Sequence, residues 1–305
     1  MKKHMNIKYV TILLILSFIS VKAQENRQFS DYKLNRSIFN PAFGGFFDGS
    51  VLLLNRSQFT GIEGAPKNIN LNINAPLSLN MGMAFNILNE KLGVTEQISF
   101  AADYSYTVYL GEVNMLTFGI KGGISNLNID YSRLDLDDNT DSNFANNVEN
   151  KILPQVGIGF LFNTENWYFG LSSPNFIKHD YNTAISSSTI AKSTAIFLNT
   201  GFNMELNRDL IFEPSVLAKY VQGTPLAIDF AFNFEYLEKF RFGTSYRWDN
   251  AVTGLVGFNL VEDFQVGYAY DYNINALGTY AASSHQFYLK YTFKRPKELF
   301  RQWQL

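Results

Sequence analysis

The chain has 305 residues, no cysteine and a formal charge of −2. Charged side chains make up 17% of it and aromatic ones 16%, where an ordinary soluble domain carries ~25% charged residues. These figures exclude a disulfide scaffold and a thiolate metal site, and they offer no basic surface for nucleic acid.

A mean hydropathy of −0.08 describes a chain rich in apolar rings but not uniformly apolar. A barrel with a greasy outside and a polar inside averages to such a value.

At the N-terminus, Lys2, Lys3 and Lys8 precede an apolar run from Tyr9 to Ile19, and Val21-Lys22-Ala23 follows as a small-residue cleavage site. This order is that of a secretory signal, residues 1–23, and the run is shorter than the ~20 residues of a spanning helix. No comparable apolar run follows, so a membrane-resident mature chain must cross with strands. Residues 24–47 form a short N-terminal segment, periplasmic or plugging, too short for a full hatch domain.

Strands follow. Ile69, Leu71 and Ile73 alternate with Asn70, Asn72 and Asn74. Leu226, Ile228, Phe230, Phe232, Phe234 and Tyr236 share one face, and Ala227, Asp229, Ala231, Asn233 and Glu235 the other. Phe240, Phe242, Tyr246 and Trp248 alternate with Arg241, Gly243, Ser245 and Arg247, and Phe264, Val266, Tyr268, Tyr270 and Tyr272 with Gln265, Gly267, Ala269 and Asp271. Period two predicts strand, and one apolar face against one polar or small face predicts a transmembrane antiparallel barrel. About fourteen strands fit between residues 48 and 294. They start near Asp48, Lys67, Asn80, Val94, Val113, Ile152, Asn166, Ala191, Arg208, Thr224, Glu238, Ala251, Phe264 and Ser283, and residues 295–305 form a periplasmic tail.

The links sort by parity. Alternate links are tight, as at Gly111-Glu112, Asn207-Arg208 and Glu262-Asp263, while the three long ones, residues 129–151, 173–190 and 273–282, fall on the other parity. Short turns inside and long loops outside is the rule for such barrels, so both termini are expected on the periplasmic side. The loop at 129–151 carries Asp130, Asp135, Asp137, Asp138 and Asp141. It lacks the spacing and closing Glu of a calcium loop and reads as a solvated outer loop.

No catalytic or metal-binding pattern stands out. The histidines are His4, His179 and His285, without zinc spacing, and no Gly-x-Ser-x-Gly elbow occurs. Gly119 to Gly123 lie within a strand and read as small lumen or bulge positions. No cofactor and no enzymatic role are expected.

Charges on the inner faces form a second group: Glu213, Lys219, Asp229, Glu235, Arg241, Arg247, Asp271 and Lys290. Their mixed signs favour a network that braces the lumen over a selective ring of one charge. A hairpin across Leu237-Glu238-Lys239 sets Glu235 opposite Arg241 and Asp229 opposite Arg247. On the outer side, Phe59, Ile62 and Pro66, Trp248, and Tyr280 offer apolar groups beside polar ones, the mix common at protein interfaces. The alternative for Trp248 and Tyr280 is an interfacial aromatic girdle.

These residues also carry a family resemblance. Asn40-Pro41-Ala42-Phe43-Gly44-Gly45, Gly61-Ile62-Glu63-Gly64-Ala65-Pro66-Lys67 and Asn89-Glu90-Lys91-Leu92-Gly93 are followed by Pro154-Gln155-Val156-Gly157-Ile158-Gly159-Phe160 and Tyr168-Phe169-Gly170-Leu171-Ser172-Ser173-Pro174. Then come Glu213-Pro214-Ser215-Val216-Leu217-Ala218-Lys219-Tyr220, Ser245-Tyr246-Arg247-Trp248-Asp249, Tyr268-Ala269-Tyr270-Asp271-Tyr272 and Ser284-His285-Gln286-Phe287. In order and spacing they resemble the PorP/SprF membrane proteins of the type IX secretion system of Bacteroidetes. Thr60 and Gln286 depart from the family pattern. The resemblance implies an outer-membrane barrel of the secretion or gliding machinery that anchors a secreted surface adhesin or other cargo. Periplasmic secretion-ring components and outer-membrane lipid are further implied partners. The competing reading is an outer-membrane channel or hydrophobic-ligand transporter. No appended peptidoglycan-binding domain is expected before Leu305.

Overall fold

The alternating stretches fold as strands in the computed structural model, which describes residues 29–46, 48–134, 146–177, 179–180, 191–192, 194–275, 278 and 283–293. The predicted signal and C-terminal tail, and much of the acidic loop, lie outside the described residues.

In chain order the strands are β1 (Gly49–Ser57), β2 (Lys67–Pro76), β3 (Met81–Leu92), β4 (Thr95–Leu110), β5 (Asn114–Ile129), β6 (Val148–Asn163) and β7 (Trp167–Ser173). β8 breaks at Asn203 into Ala195–Phe202 and Met204–Asn207, both pairing with β9 (Leu210–Val221). Then follow β10 (Ala227–Tyr236), β11 (Phe240–Arg247), β12 (Ala251–Val261), β13 (Phe264–Asn273) and β14 (Ser283–Phe293). Each pairs antiparallel with its neighbours, and β1 meets β14 from Gly49↔Phe293 to Ser57↔His285, closing a fourteen-stranded barrel.

Two boundaries differ from the sequence reading. β6 begins at Val148 rather than near Ile152, because Val148 pairs with Ile129 beyond an irregularity in the ladder, and its Asn-rich start hides the alternation. Ala191–Lys192 does not open β8 but pairs with His179–Asp180 in a separate ribbon.

Burial is inverted relative to a soluble protein. Ile69 is 47% exposed while its neighbour Asn70 is 0% exposed. The outward positions carry Phe85, Phe100, Phe118, Ile120, Ile158 and Phe287, side chains that gain roughly 1.5–3 kcal/mol each on leaving water. Lipid supplies that surroundings. The inward positions carry Asn72, Asn86, Asp103, Asn199, Asn233 and Gln286, all buried. No helix among the described residues is long and apolar enough to cross a membrane.

The tight links, residues 77–80, 111–113, 164–166, 208–209, 237–239 and 262–263, gather at one end, termed the inner end by the rule that follows. The opposite, outer end carries the remaining links, including 58–66, 130–147, 174–194 and 274–282. In barrels of this kind the tight turns face the periplasm.

Residues 29–46 fill the lumen. The segment descends from Phe29, whose carbonyl accepts Arg247 Nη2 at 3.3 Å near the outer end of β11. It passes two 3-10 turns, Arg36–Ile38 and Pro41–Phe43, and reaches the inner end at Gly45, whose N–H meets Asn74 Oδ1. The segment thus lies within the lumen, and the expected periplasmic N-terminus lies outside the described residues. The segment's first described residue sits at the outer end, because its polar groups find their partners along the length of the lumen wall.

Apolar side chains of this plug nucleate two internal clusters. Tyr32, Phe39, Ala42 and Phe43 pack with Leu161, Tyr168, Phe197 and Leu217, and Phe39 stacks on Phe197 at 5.8 Å between ring centroids. Phe29 packs with Leu52, Leu54, Leu88 and Tyr288. The wall must yield where the plug touches it. A Cβ at Gly119 would lie 2.2 Å from the Ala42 nitrogen, and one at Gly159 would lie 2.1 Å from Asn40 Oδ1. Glycine therefore permits contact between the plug backbone and β5 and β6.

Candidate functional site

Two regions concentrate the polar and exposed groups that can act: the plugged lumen and the outer rim.

In the lumen, buried ion pairs link wall strands to one another and to the plug. Asp271 Oδ2 accepts Arg56 Nη2 at 2.7 Å and Ser30 Oγ at 2.8 Å, and its Oδ1 accepts Thr253 Oγ1 at 2.8 Å. Ser30 N–H also donates to Gln286 Oε1 at 3.0 Å. Asp229 Oδ1 pairs with Arg247 Nε at 2.9 Å. Asp31 pairs with Arg241, and Lys33 Nζ with Glu213 Oε2 at 2.8 Å. Tyr32 OH shares a hydrogen bond with Ser215 Oγ at 2.8 Å.

A ladder of amides continues around the wall. Asn35 Nδ2 donates to Asn70 Oδ1 at 2.6 Å and to Asn86 Oδ1 at 2.9 Å. Asn86 Nδ2 donates to Asp103 Oδ2 at 3.2 Å, and Lys121 Nζ lies 2.8 Å from Asp103 Oδ1. Lower down, Asn40 Oδ1 accepts Ala42 N–H at 3.0 Å and its Nδ2 reaches the Phe160 carbonyl at 3.1 Å. Pro41 occupies the first position of this capped turn, where its missing N–H costs nothing. Buried polar groups demand such partners, since an unsatisfied one costs ~1–3 kcal/mol. The network therefore fixes the plug as well as the wall.

Of the inner charges read from sequence, Asp229, Arg247, Arg241 and Asp271 are buried in these pairs. The hairpin register is as expected, with Asp229↔Arg247 and Glu235↔Arg241. The ion pair of Arg241, however, is made with Asp31 and not with its cross-strand neighbour Glu235. Lys219 lies with Nζ 5.7 Å from the Phe197 ring centroid. Asp31, Lys33, Asn35, Arg56, Asp103 and Lys121 were not singled out from sequence; the plug segment has no periodicity, and the barrel partners were masked among other inward polar residues. A cavity of about 170 Å³ remains between plug and wall, lined by Tyr32, Phe39, Leu88, Phe197, Leu217 and Lys219 among others.

At the outer rim the structure brings three predicted segments into one arc. Ile274 N–H donates to the Asn250 carbonyl at 2.8 Å, joining the β13–β14 link to the β11–β12 turn, and Thr60 N–H donates to the Ser283 carbonyl at 3.0 Å, joining the β1–β2 loop to β14. On this arc Trp248 is 62% exposed, Ile62 45% and Ile274 45%. Phe59 differs from the expectation of a presented ring: its backbone is left-handed, φ 47°, and its side chain is buried. Pro66 is half-buried, its carbonyl accepting Gln58 N–H at 2.9 Å. Tyr280 lies outside the described residues.

A family model described as type IX secretion system membrane protein PorP/SprF matches residues 21–291. No curated protein matches the chain. Among solved structures, the Acinetobacter baumannii outer membrane protein Omp33 is similar, with a TM-score of 0.50 at 5% identity over 81% of this chain and 98% of that one. At that identity the likeness shows the fold alone. The P. putida toluene transporter TodX has a TM-score of 0.46 at 11% identity over 86% and 95% of the two chains. The NanC porin has 0.44 at 11% over 81% and 100%.

Proposed function

The chain belongs to the type IX secretion system membrane protein family PorP/SprF, and on that premise we propose that it is a non-catalytic outer-membrane barrel that holds a secreted surface protein on its outer rim. The observation that carries this reading is the plug. Residues 29–46 occupy the lumen, tied to the wall by the buried pairs Asp31–Arg241 and Lys33–Glu213 and by hydrogen bonds from Ser30, Tyr32, Asn35 and Asn40, so traffic through the barrel is disfavoured and the rim is left as the working surface. There Ile62, Trp248 and Ile274 stand exposed on one hydrogen-bonded arc. Apolar groups held on a rigid frame bind with little ordering cost.

The test is capture from native outer membranes in mild detergent. One secreted surface protein should accompany the barrel in near-equal amount. Recovery of the barrel with periplasmic secretion components alone would reject cargo holding in favour of a role in the machinery. A second reading, a transporter of hydrophobic ligands, is favoured by the apolar cavity of about 170 Å³ beside the plug. Ligand flux into liposomes that contain the barrel separates the two.

A further inference from the structure

At the outer end of β2 and β3, two lysines face each other. Lys67 and Lys91 are directly opposite in the ladder, and both point outward and are exposed. Like charges directly opposite destabilise a sheet pair. Lys91 is also opposite Glu96 on β4, with Nζ 3.0 Å from Glu96 Oε1. That same oxygen accepts Asn89 Nδ2 at 3.3 Å. Among the described residues no acidic group lies within ion-pair distance of Lys67. Three charged side chains in a row thus leave one positive charge uncompensated, on a chain with 27 acidic and 25 basic residues.

The height of the pair gives it a partner. One outward step below Lys67 is Ile69, 47% exposed; below Lys91 on the same face come the half-buried Asn89 and then Ile87 and Phe85, 39% and 44% exposed. The lysines therefore stand at the upper edge of the lipid-facing apolar band, at the level of the headgroups. Opposed side chains in a ladder are ~4.5–5.5 Å apart at Cβ, so one phosphate group with several acceptor oxygens can meet both ammonium groups.

We propose that Lys67 and Lys91 form a clamp for a phosphate of an outer-leaflet glycolipid. The anion removes the repulsion between the two lysines, and the lipid's acyl chains lie along Ile69, Phe85 and Ile87. The clamp is independent of which protein the rim holds, and it rests on the assignment of the outer end.

The experiment uses the full mature barrel, extracted and freed of native lipid. Lipid A carrying two phosphates, the same lipid dephosphorylated, phosphatidylglycerol and inorganic phosphate are titrated separately, with retention followed by native mass spectrometry. Phosphorylated lipid A should bind best. The Lys67→Gln/Lys91→Gln variant should lose affinity roughly thirtyfold, from about a factor of five per basic residue at a membrane surface. Lys67→Arg/Lys91→Arg should retain it, and Lys239→Gln at the inner end should change nothing. Heat-modifiable gel migration confirms that each variant is assembled. Equal binding of dephosphorylated lipid A, or an assembled double Gln variant that binds as the parent does, overturns the proposal. A preference for phosphatidylglycerol overturns the glycolipid assignment and places this end at the inner leaflet, whatever the rim binds.

Discussion

Arg56 on β1 and Asp271 on β13 meet at 2.7 Å inside the barrel with side chains 3% and 1% exposed, and Ser30 of the plug donates to the same carboxylate oxygen. The contact ties the plug to two strands that are not neighbours. Removing one partner leaves an uncompensated buried charge, which costs about 3–5 kcal/mol. Arg56→Met should therefore lower unfolding stability by that order in urea. An unchanged urea midpoint would mean that water reaches Asp271 and that the lumen is wetter than its burial indicates.

The lumen should not conduct. In planar bilayers the parent barrel is expected to stay closed, because the plug packs against the wall from Phe29 to Gly45. Gly119→Val is the complementary case. Its Cβ would stand 2.2 Å from the Ala42 nitrogen, so the lower plug must move, and openings should appear in single-channel records. Steady conductance by the parent protein would show that the plug leaves a through-path.

How far the sequence foretold this arrangement differs between wall and plug. The Asp229↔Arg247 register was legible because alternation is a local property and a tight link sets the pairing. The partner of Arg241 was not, because Asp31 lies 210 residues away in a segment without strand or helix periodicity. Asn40-Pro41-Ala42-Phe43 was legible as a motif but not as the base of a plug, since nothing local reports that Gly119 and Gly159 are the surfaces it rests on. Phe59 reads as a loop aromatic, and only its left-handed backbone turns the ring into the interior. Exposure at the rim depends on such single-residue conformations, which composition does not encode.

The direction of insertion is open to a labelling experiment. Epitopes inserted at Glu63-Gly64, in the β1–β2 loop, should be detected on intact cells. The same epitope at Asn163-Thr164, between β6 and β7, should be detected only after the outer membrane is permeabilised. The reverse pattern would turn the barrel over and move the exposed arc of Ile62, Trp248 and Ile274 to the periplasm, where it would face secretion-ring components instead of a surface protein.

The rim arc itself is tested by a pair of substitutions. Ile62 and Trp248 are 45% and 62% exposed, and neither is needed to close the barrel. Ile62→Ser/Trp248→Ser should therefore assemble normally, as judged by heat-modifiable migration. Exposed aromatic anchors at interfaces carry ~2 kcal/mol or more when they are hot spots, so retention of the surface protein should fall by at least about tenfold. Phe59→Ser is the contrasting variant. Its ring is buried beside β14, with its N–H on Ser284 Oγ at 3.3 Å, so it should lower barrel stability first and retention only through that loss. If the Ile62/Trp248 variant keeps its surface partner at the parental level, the arc is part of the aromatic girdle at the membrane edge, and the partner must be held by another outer loop.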